Sequence, residues 1–136
     1  MQDSDNYIHE VRVKGSREGL PILVMIHGYL AGGLQFCKMM KHLRPYFEVV
    51  TIDLLGMGAS GRPQGLQFSG FEQSCEFFTS SIHKWTELAG IGQNGEKFYL
   101  LGHSLGGLIS GHYALKYPNQ IEKLFMMSAV GITEKP

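Results

Sequence analysis

Long hydrophobic runs are missing from this 136-residue sequence. Its longest apolar stretch, residues 20–26, falls far short of the about 20 residues that a membrane-spanning helix needs. The start Met1-Gln2-Asp3-Ser4-Asp5 is acidic and polar, where a secretory signal would be basic and then apolar, so neither a span nor a secretion signal is expected. An excess of one charge is missing too. Twelve basic residues face 12 acidic ones and the formal net charge is zero with histidines neutral. Without a basic patch or a run of like charges there is no counterion-release drive toward phosphate backbones, and nucleic acid is excluded as a partner. Cysteine is scarce. Cys37 and Cys75 fit neither a disulfide framework nor paired zinc ligands, and both fall on apolar faces of predicted helices, as small buried hydrophobes in a reducing compartment. His9, His42 and His83 have no acidic or cysteine partner at ligand spacing, so no metal is expected. With only 18% charged against 43% hydrophobic residues, disorder is excluded and a single globular domain over 1–136 is expected.

What is present is an alternation of strand and helix patterns. Residues 7–13 (YIHEVRV) show the period-two signal of a half-exposed strand. Residues 21–26 (PILVMI) and 47–52 (FEVVTI) are short apolar runs rich in β-branched side chains and closed by glycine, as expected of strands buried on both faces of a parallel sheet; residues 98–101 and 123–127 repeat the type. Between them, Phe36, Met39, Met40 and Leu43 share one helical face, and Phe71, Cys75, Phe78, Ile82, Trp85 and Leu88 another. Ser69 with Glu72 reads as a capping box, and Gly90 as the stop of that helix. A third helix should start after Ser104 and end at Tyr117, because Pro118 cannot continue it. The methionine pairs Met39-Met40 and Met126-Met127 read as core filler. The class is α/β, with helices flanking a mostly parallel sheet.

The strongest chemical signal is Gly102-His103-Ser104-Leu105-Gly106-Gly107, which follows a strand and opens a helix. A serine there must make a sharp turn, with glycines two before and two after it leaving room for the backbone, and its hydroxyl then points out of the sheet as a nucleophile. Leu105 offers a backbone N–H at the helix start, where the dipole favours a developing oxyanion. The second signal, His27-Gly28-Tyr29-Leu30-Ala31-Gly32-Gly33, follows another strand and supplies a candidate second oxyanion N–H at Tyr29. His27 more readily shapes this loop than serves as the base. The third, residues 53–63 (DLLGMGASGRP), contains Gly56, Gly58 and Gly61 at dinucleotide-site spacing, yet it runs into Arg62-Pro63 rather than a helix, and no acidic residue closes a strand about 20 residues on, which disfavours nucleotide binding. His112 lies on the apolar face with Leu105, Leu108 and Ile109 and reads as packed.

With Ser104 in its elbow, His27-Gly28 ahead of a glycine-rich loop and the 53–63 stretch, the chain resembles the α/β-hydrolase superfamily. DLLGMGASGRP, LLGHSLGG, the ending Ala114-Leu115-Lys116-Tyr117-Pro118 and residues 131–136 (GITEKP) are similar to one branch. That branch holds lysophospholipases acting on N-acyl phospholipids, lysophosphatidic acid acyltransferase-like proteins and the lipid-droplet lipase co-activator. The resemblance implies a serine hydrolase or acyltransferase of lipid metabolism that needs no cofactor. Its substrate would be an acyl ester or phospholipid-derived molecule, and its location cytoplasmic, peripheral to lipid droplets or organelle membranes.

One departure from the pattern is large. The superfamily's acid and histidine follow the nucleophile, but the residues after Ser104 hold no aspartate. Glu122 opens a strand at the opposite end from the elbow, Glu134 is next to the C-terminus, and His112 is two turns along the helix. None can reach. The branch's His-x-x-x-x-Asp motif is also absent. The expectation is therefore the N-terminal part of an α/β-hydrolase fold, truncated before the lid and last strands and inactive as it stands. A non-catalytic co-activator or binding module is the alternative, and a dinucleotide-binding domain a remote one. Residues 124–127 (LFMM) should form an apolar sheet edge.

Overall fold

The architecture follows from the strand Ile22–Ile26 (β2), whose successive side chains enter two different cores. The computed structural model describes residues 6–65 and 67–132. Leu23 and Met25 join Phe36, Met40, Val49 and Leu101 on one side of the sheet, while Val24 and Ile26 join Val50, Ile52, Ile82, Trp85, Leu100, Ile109 and Tyr113 on the other. Such two-sided burial is what the unbroken apolar run demands, since adjacent side chains of a strand point to opposite faces.

The other strands are Glu10–Val13 (β1), Glu48–Ile52 (β3), Phe98–His103 (β4) and Ile121–Met127 (β5), and the order across the sheet is β1-β3-β2-β4-β5. β1 lies antiparallel to β3; the pairings β2 with β3, β2 with β4 and β4 with β5 are parallel. A single 3₁₀ turn, Gly33–Phe36, leads into the helix Cys37–Leu43 (α1), which covers the first core. The helices Phe71–Ala89 (α2) and Leu105–Lys116 (α3) cover the second. Those two are tied together where Lys116 Nζ lies 2.7 Å from Glu76 Oε2, and the Tyr113 hydroxyl, buried under α2, donates to Gln120 Oε1 at 2.6 Å. Among the described residues no helix is long and apolar enough to cross a membrane.

Several expectations need correction. The first strand begins at Glu10 rather than Tyr7, although Tyr7 and His9 already run beside the sheet, their carbonyls accepting from Gly61 N and Asp53 N. Cys37 is exposed at the start of α1, where the chain has just left the 3₁₀ turn and the face is set by Phe36 and Met40 instead; Cys75 is buried as expected. The Ser69–Glu72 capping box does not form. Gly70 is the cap residue and makes no side-chain bond, while the Gln73 amide oxygen reaches back to Ser69 N–H at 2.9 Å. Phe71 and Leu88, at the two ends of α2, lie outside the core and are exposed. Met126 is exposed on β5 rather than core filler, on a strand that pairs with β4 alone among the described strands. Gly90, at φ +68°, stops α2 where expected, and α3 spans the expected segment. Glu134 and the acidic start Met1 to Asp5 lie outside the described residues.

Candidate active site

Ser104 sits at φ 54° and ψ −118°, a conformation that a side-chain-bearing residue enters only under strain. It is the joint between the end of β4 and the first turn of α3. Its N–H donates to Met127 O at 3.1 Å, and its carbonyl accepts from Gly107 N at 3.0 Å and Val130 N at 3.2 Å, so the joint is pinned both to α3 and to the segment leaving β5. The flanking glycines are required by close approach. A Cβ on Gly106 would run into the carbonyls of Ile26 and His27, and one on Gly102 into the Gly106 carbonyl. Ser104 itself remains half-buried, and Leu105 opens α3, where the first amides have no partner within the helix.

The glycine-rich loop after β2 comes up against this joint because β2 and β4 are neighbours whose ends are level, Ile26 pairing with Gly102. A Cβ on Gly28 would stand 3.1 Å from Ser104 Cβ and 3.1 Å from His103 Nδ1. The loop turns at Tyr29 and Leu30, closed by Ala31 N–H to Gly28 O at 3.2 Å, with Leu30 at φ 55°. The Tyr29 side chain points into solvent, 69% exposed. Of the sequence-derived site residues, then, Ser104 and Leu105 are adjacent, and Gly28, the residue before Tyr29, comes close to Ser104.

His27 is fully buried, and both of its ring nitrogens are engaged. Nε2 accepts from Leu54 N–H at 2.9 Å, which leaves Nδ1 carrying the proton that it donates to Gly28 O at 2.7 Å. This is the loop-shaping role expected of it. His112 is half-buried with its ring against Phe71 at 5.5 Å, and Glu122 stands at the far end of β5 from Ser104. Among the described residues no histidine hydrogen-bonds the Ser104 hydroxyl.

Sequence reasoning missed Asp53, the residue after β3. Its carboxylate accepts from Gly33 N–H at 2.5 Å and Ala59 N–H at 2.8 Å, and its Oδ2 lies 3.2 Å from His9 Nδ1. Burial raises the carboxyl's pKa, but the Ala59 and Gly33 amides and nearby His9 more than offset this, holding it below the ordinary value. The His9 contact joins residues 44 positions apart across the sheet, so it leaves no trace in the ligand spacing by which His9 was read. His83 likewise lies 3.8 Å from Glu87 one turn on and stacks on Tyr117. The one available signal for Asp53 was an acidic residue set between an apolar strand and a glycine-rich turn.

The 54–62 segment does not cradle a phosphate. Gly56 N–H donates to Gly61 O, Gly58 packs onto the Asp53 carboxylate, and the Arg62 guanidinium fastens to the carbonyls of Ser60 and Gly58. The helix that follows this segment starts only at Phe71, about where the sequence indicated. A groove of about 860 Å³ lies elsewhere, between Tyr7, Ile8 and Glu10 and the α2 residues Phe77, Lys84 and Trp85; no residue of the Ser104 joint lines it.

Comparison with known proteins agrees with this geometry. Over 131 residues the chain is 35% identical to a 1-acylglycerol-3-phosphate O-acyltransferase of Arabidopsis thaliana, covering 96% of this chain and 30% of that protein. It is 34% identical to the human (lyso)-N-acylphosphatidylethanolamine lipase, covering 98% of this chain and 37% of the lipase. The chain thus spans about a third of the length of these relatives. A solved membrane phospholipase A superposes with a TM-score of 0.78 at 24% identity, over 95% of this chain and 39% of that one, a likeness of fold alone. The sequence profile of the alpha/beta hydrolase fold matches residues 21–136. With both relatives lipid-related and the strand order and elbow in place, this chain belongs to the α/β-hydrolase family, within its lipid-related branch.

Proposed function

We propose that this domain carries the nucleophile and oxyanion site of a serine esterase or acyltransferase acting on lipid-derived acyl esters. The observation that supports it most is the strained φ, ψ of Ser104 at the β4–α3 joint, since strain of that kind persists where the surrounding structure holds it for function. In this reading Ser104 Oγ attacks the acyl carbonyl carbon while a general base, a histidine not among the six of this sequence, takes the hydroxyl proton. The carbonyl oxygen, now an anion, is held by the N–H groups of Tyr29 and Leu105. Collapse breaks the ester bond, the leaving alkoxide regains the proton, and the acyl-serine is then cleaved by water or by a lipid hydroxyl.

The exposed Tyr29, Leu30 and Leu34, on and just after the loop that touches Ser104, favour peripheral contact with a lipid surface. The test is covalent. A fluorophosphonate probe should label Ser104 in the complete protein, and Ser104→Ala should lose labelling together with about 10⁶ in kcat on a nitrophenyl ester. Equal labelling of the variant sinks the assignment.

A second reading, a non-catalytic binding or co-activating module, is favoured by one observation: no described histidine bonds Ser104. Turnover of a nitrophenyl ester by the 136-residue chain at the rate of an ordinary hydrolase would refute it.

A further inference from the structure

We propose that Asp53 is a positioning residue for the acyl-transfer centre, its carboxylate holding the loop that carries the Tyr29 amide, and that His9 completes this clasp from the chain just ahead of β1. The proposal rests on the Ser104 reading and extends it to a side chain that never touches substrate. The 27–33 loop is fastened to the end of β3 at two points. At its near end, His27 takes the Leu54 amide on one nitrogen and gives its proton to Gly28 O with the other. At its far end, Gly33 N–H donates to Asp53 Oδ1. Between these anchors lie the turn at Tyr29 and Leu30, with Leu30 held at positive φ, and Gly28 in contact with Ser104. A loop anchored only at His27 would leave the Tyr29 amide free to swing away from the serine.

The choice of aspartate follows from the hydrogen-bond count. Two N–H donors and a histidine converge on one side chain, so the group must accept at both oxygens, and only an ionised carboxylate does so. An asparagine would turn an NH₂ toward one of those donors. A longer acid does not fit, because Gly32 and Gly58 press on the carboxylate; a Cβ at Gly32 would already stand 3.1 Å from Oδ1. A bare negative charge beside an oxyanion site would also oppose the charge that develops there. The two amides and the His9 ring offset that charge, which gives His9 a purpose that its position in the sequence does not suggest.

The experiment compares Asp53→Asn, His9→Ala and His9→Asn in the complete protein, using amide hydrogen exchange, fluorophosphonate labelling and steady-state kinetics on a nitrophenyl ester. Displacing one oxyanion donor sets the scale, about 10² in kcat. In Asp53→Asn the 28–33 amides should exchange about tenfold faster or more while β2 and β4 stay protected, with labelling and kcat down by about tenfold to 10² and KM within about twofold. His9→Ala should shift the same readouts less, and His9→Asn, whose amide can donate in place of the ring, should restore most of the loss. Unchanged loop exchange in Asp53→Asn overturns the clasp, and faster exchange with undiminished labelling overturns its role in positioning. If Asp53→Asn loses protection throughout, the His9 pair decides: equal behaviour of the alanine and asparagine variants counts against the proposal. Should the wild-type protein not label at Ser104, the catalytic reading falls by that result alone, while loop exchange still judges the clasp.

Discussion

Ser104 is costly to the fold at the place where it stands. A non-glycine residue at φ 54° and ψ −118° carries about 1–3 kcal/mol of backbone strain, whereas glycine enters that region freely. Ser104→Gly is therefore expected to raise stability by about 1 kcal/mol or more in urea denaturation while abolishing probe labelling. A loss of stability would mean that the side chain contributes more to packing than its backbone costs. Asp53 makes a second residue-level prediction. Its pKa is lowered in the folded chain from the ordinary 3.8, so the native state binds its proton less tightly than the unfolded one. Its contribution is fully present above about pH 4 and drains away as pH falls through the depressed value. The stability gap between wild type and Asp53→Asn should accordingly be widest near neutral pH and narrow at pH 3. A gap that grew on acidification would contradict the assignment of the charge.

Among the elements, α2 is held at its C-terminal end by two unlike devices. Near its C-terminus the indole N–H of Trp85 donates to Glu10 Oε2 at 2.7 Å, fixing the helix to β1 across the open groove. Glu10→Ala should cost about 1–2 kcal/mol, since a hydrogen bond to a charged acceptor is lost and the buried indole loses its partner. The change can be followed by the fluorescence of Trp85, the one tryptophan in the chain. Where α2 stops, Gly90 stands at φ +68° with open space around its Cα; Gly90→Ala should cost about 1 kcal/mol from backbone conformation alone, and an unchanged melting temperature would refute this. These elements also mark what could be read from the sequence. The buried faces of β2 and β3, the middle of α2, the stop at Gly90 and the Ser104 joint were legible because each depends on residues a few positions apart, whereas the exposure of Cys37, Phe71, Leu88 and Met126 was not. The Glu10–Trp85 and His9–Asp53 bonds were not, since they join residues 75 and 44 positions apart and follow from sheet order. The capping box failed for a related reason: its letters are local, but Gly70 took the cap position and Gln73 the Ser69 amide.

At the scale of the whole molecule, the sheet is well covered at its centre and poorly at one side. β5 is bonded only to β4 among the described strands, and Phe125, Met126, Val130 and Ile132 are exposed on or beside it. An apolar edge with free backbone groups is a template for pairing, so the 136-residue chain by itself should self-associate in sedimentation velocity, and Phe125→Lys should shift it toward monomer. A monodisperse monomer without that change would show that the edge is protected in some other way. The strand order has a further consequence, for the time at which the chain can fold as it is made. β2, the most apolar strand, is central only once β4 exists, since its second neighbour is the segment that pairs residue 23 with residue 99. Until that segment has left the ribosome, the nascent chain can assemble β1, β3 and β2 at most, with β2 as a bare flank, and such long-range pairing is slow to form. The Ser104 joint, which needs both β4 and the carbonyls at the end of β2 beneath Gly106, is thus among the last features to take shape during synthesis, and holdase chaperones should meet this protein chiefly through residues 22–26.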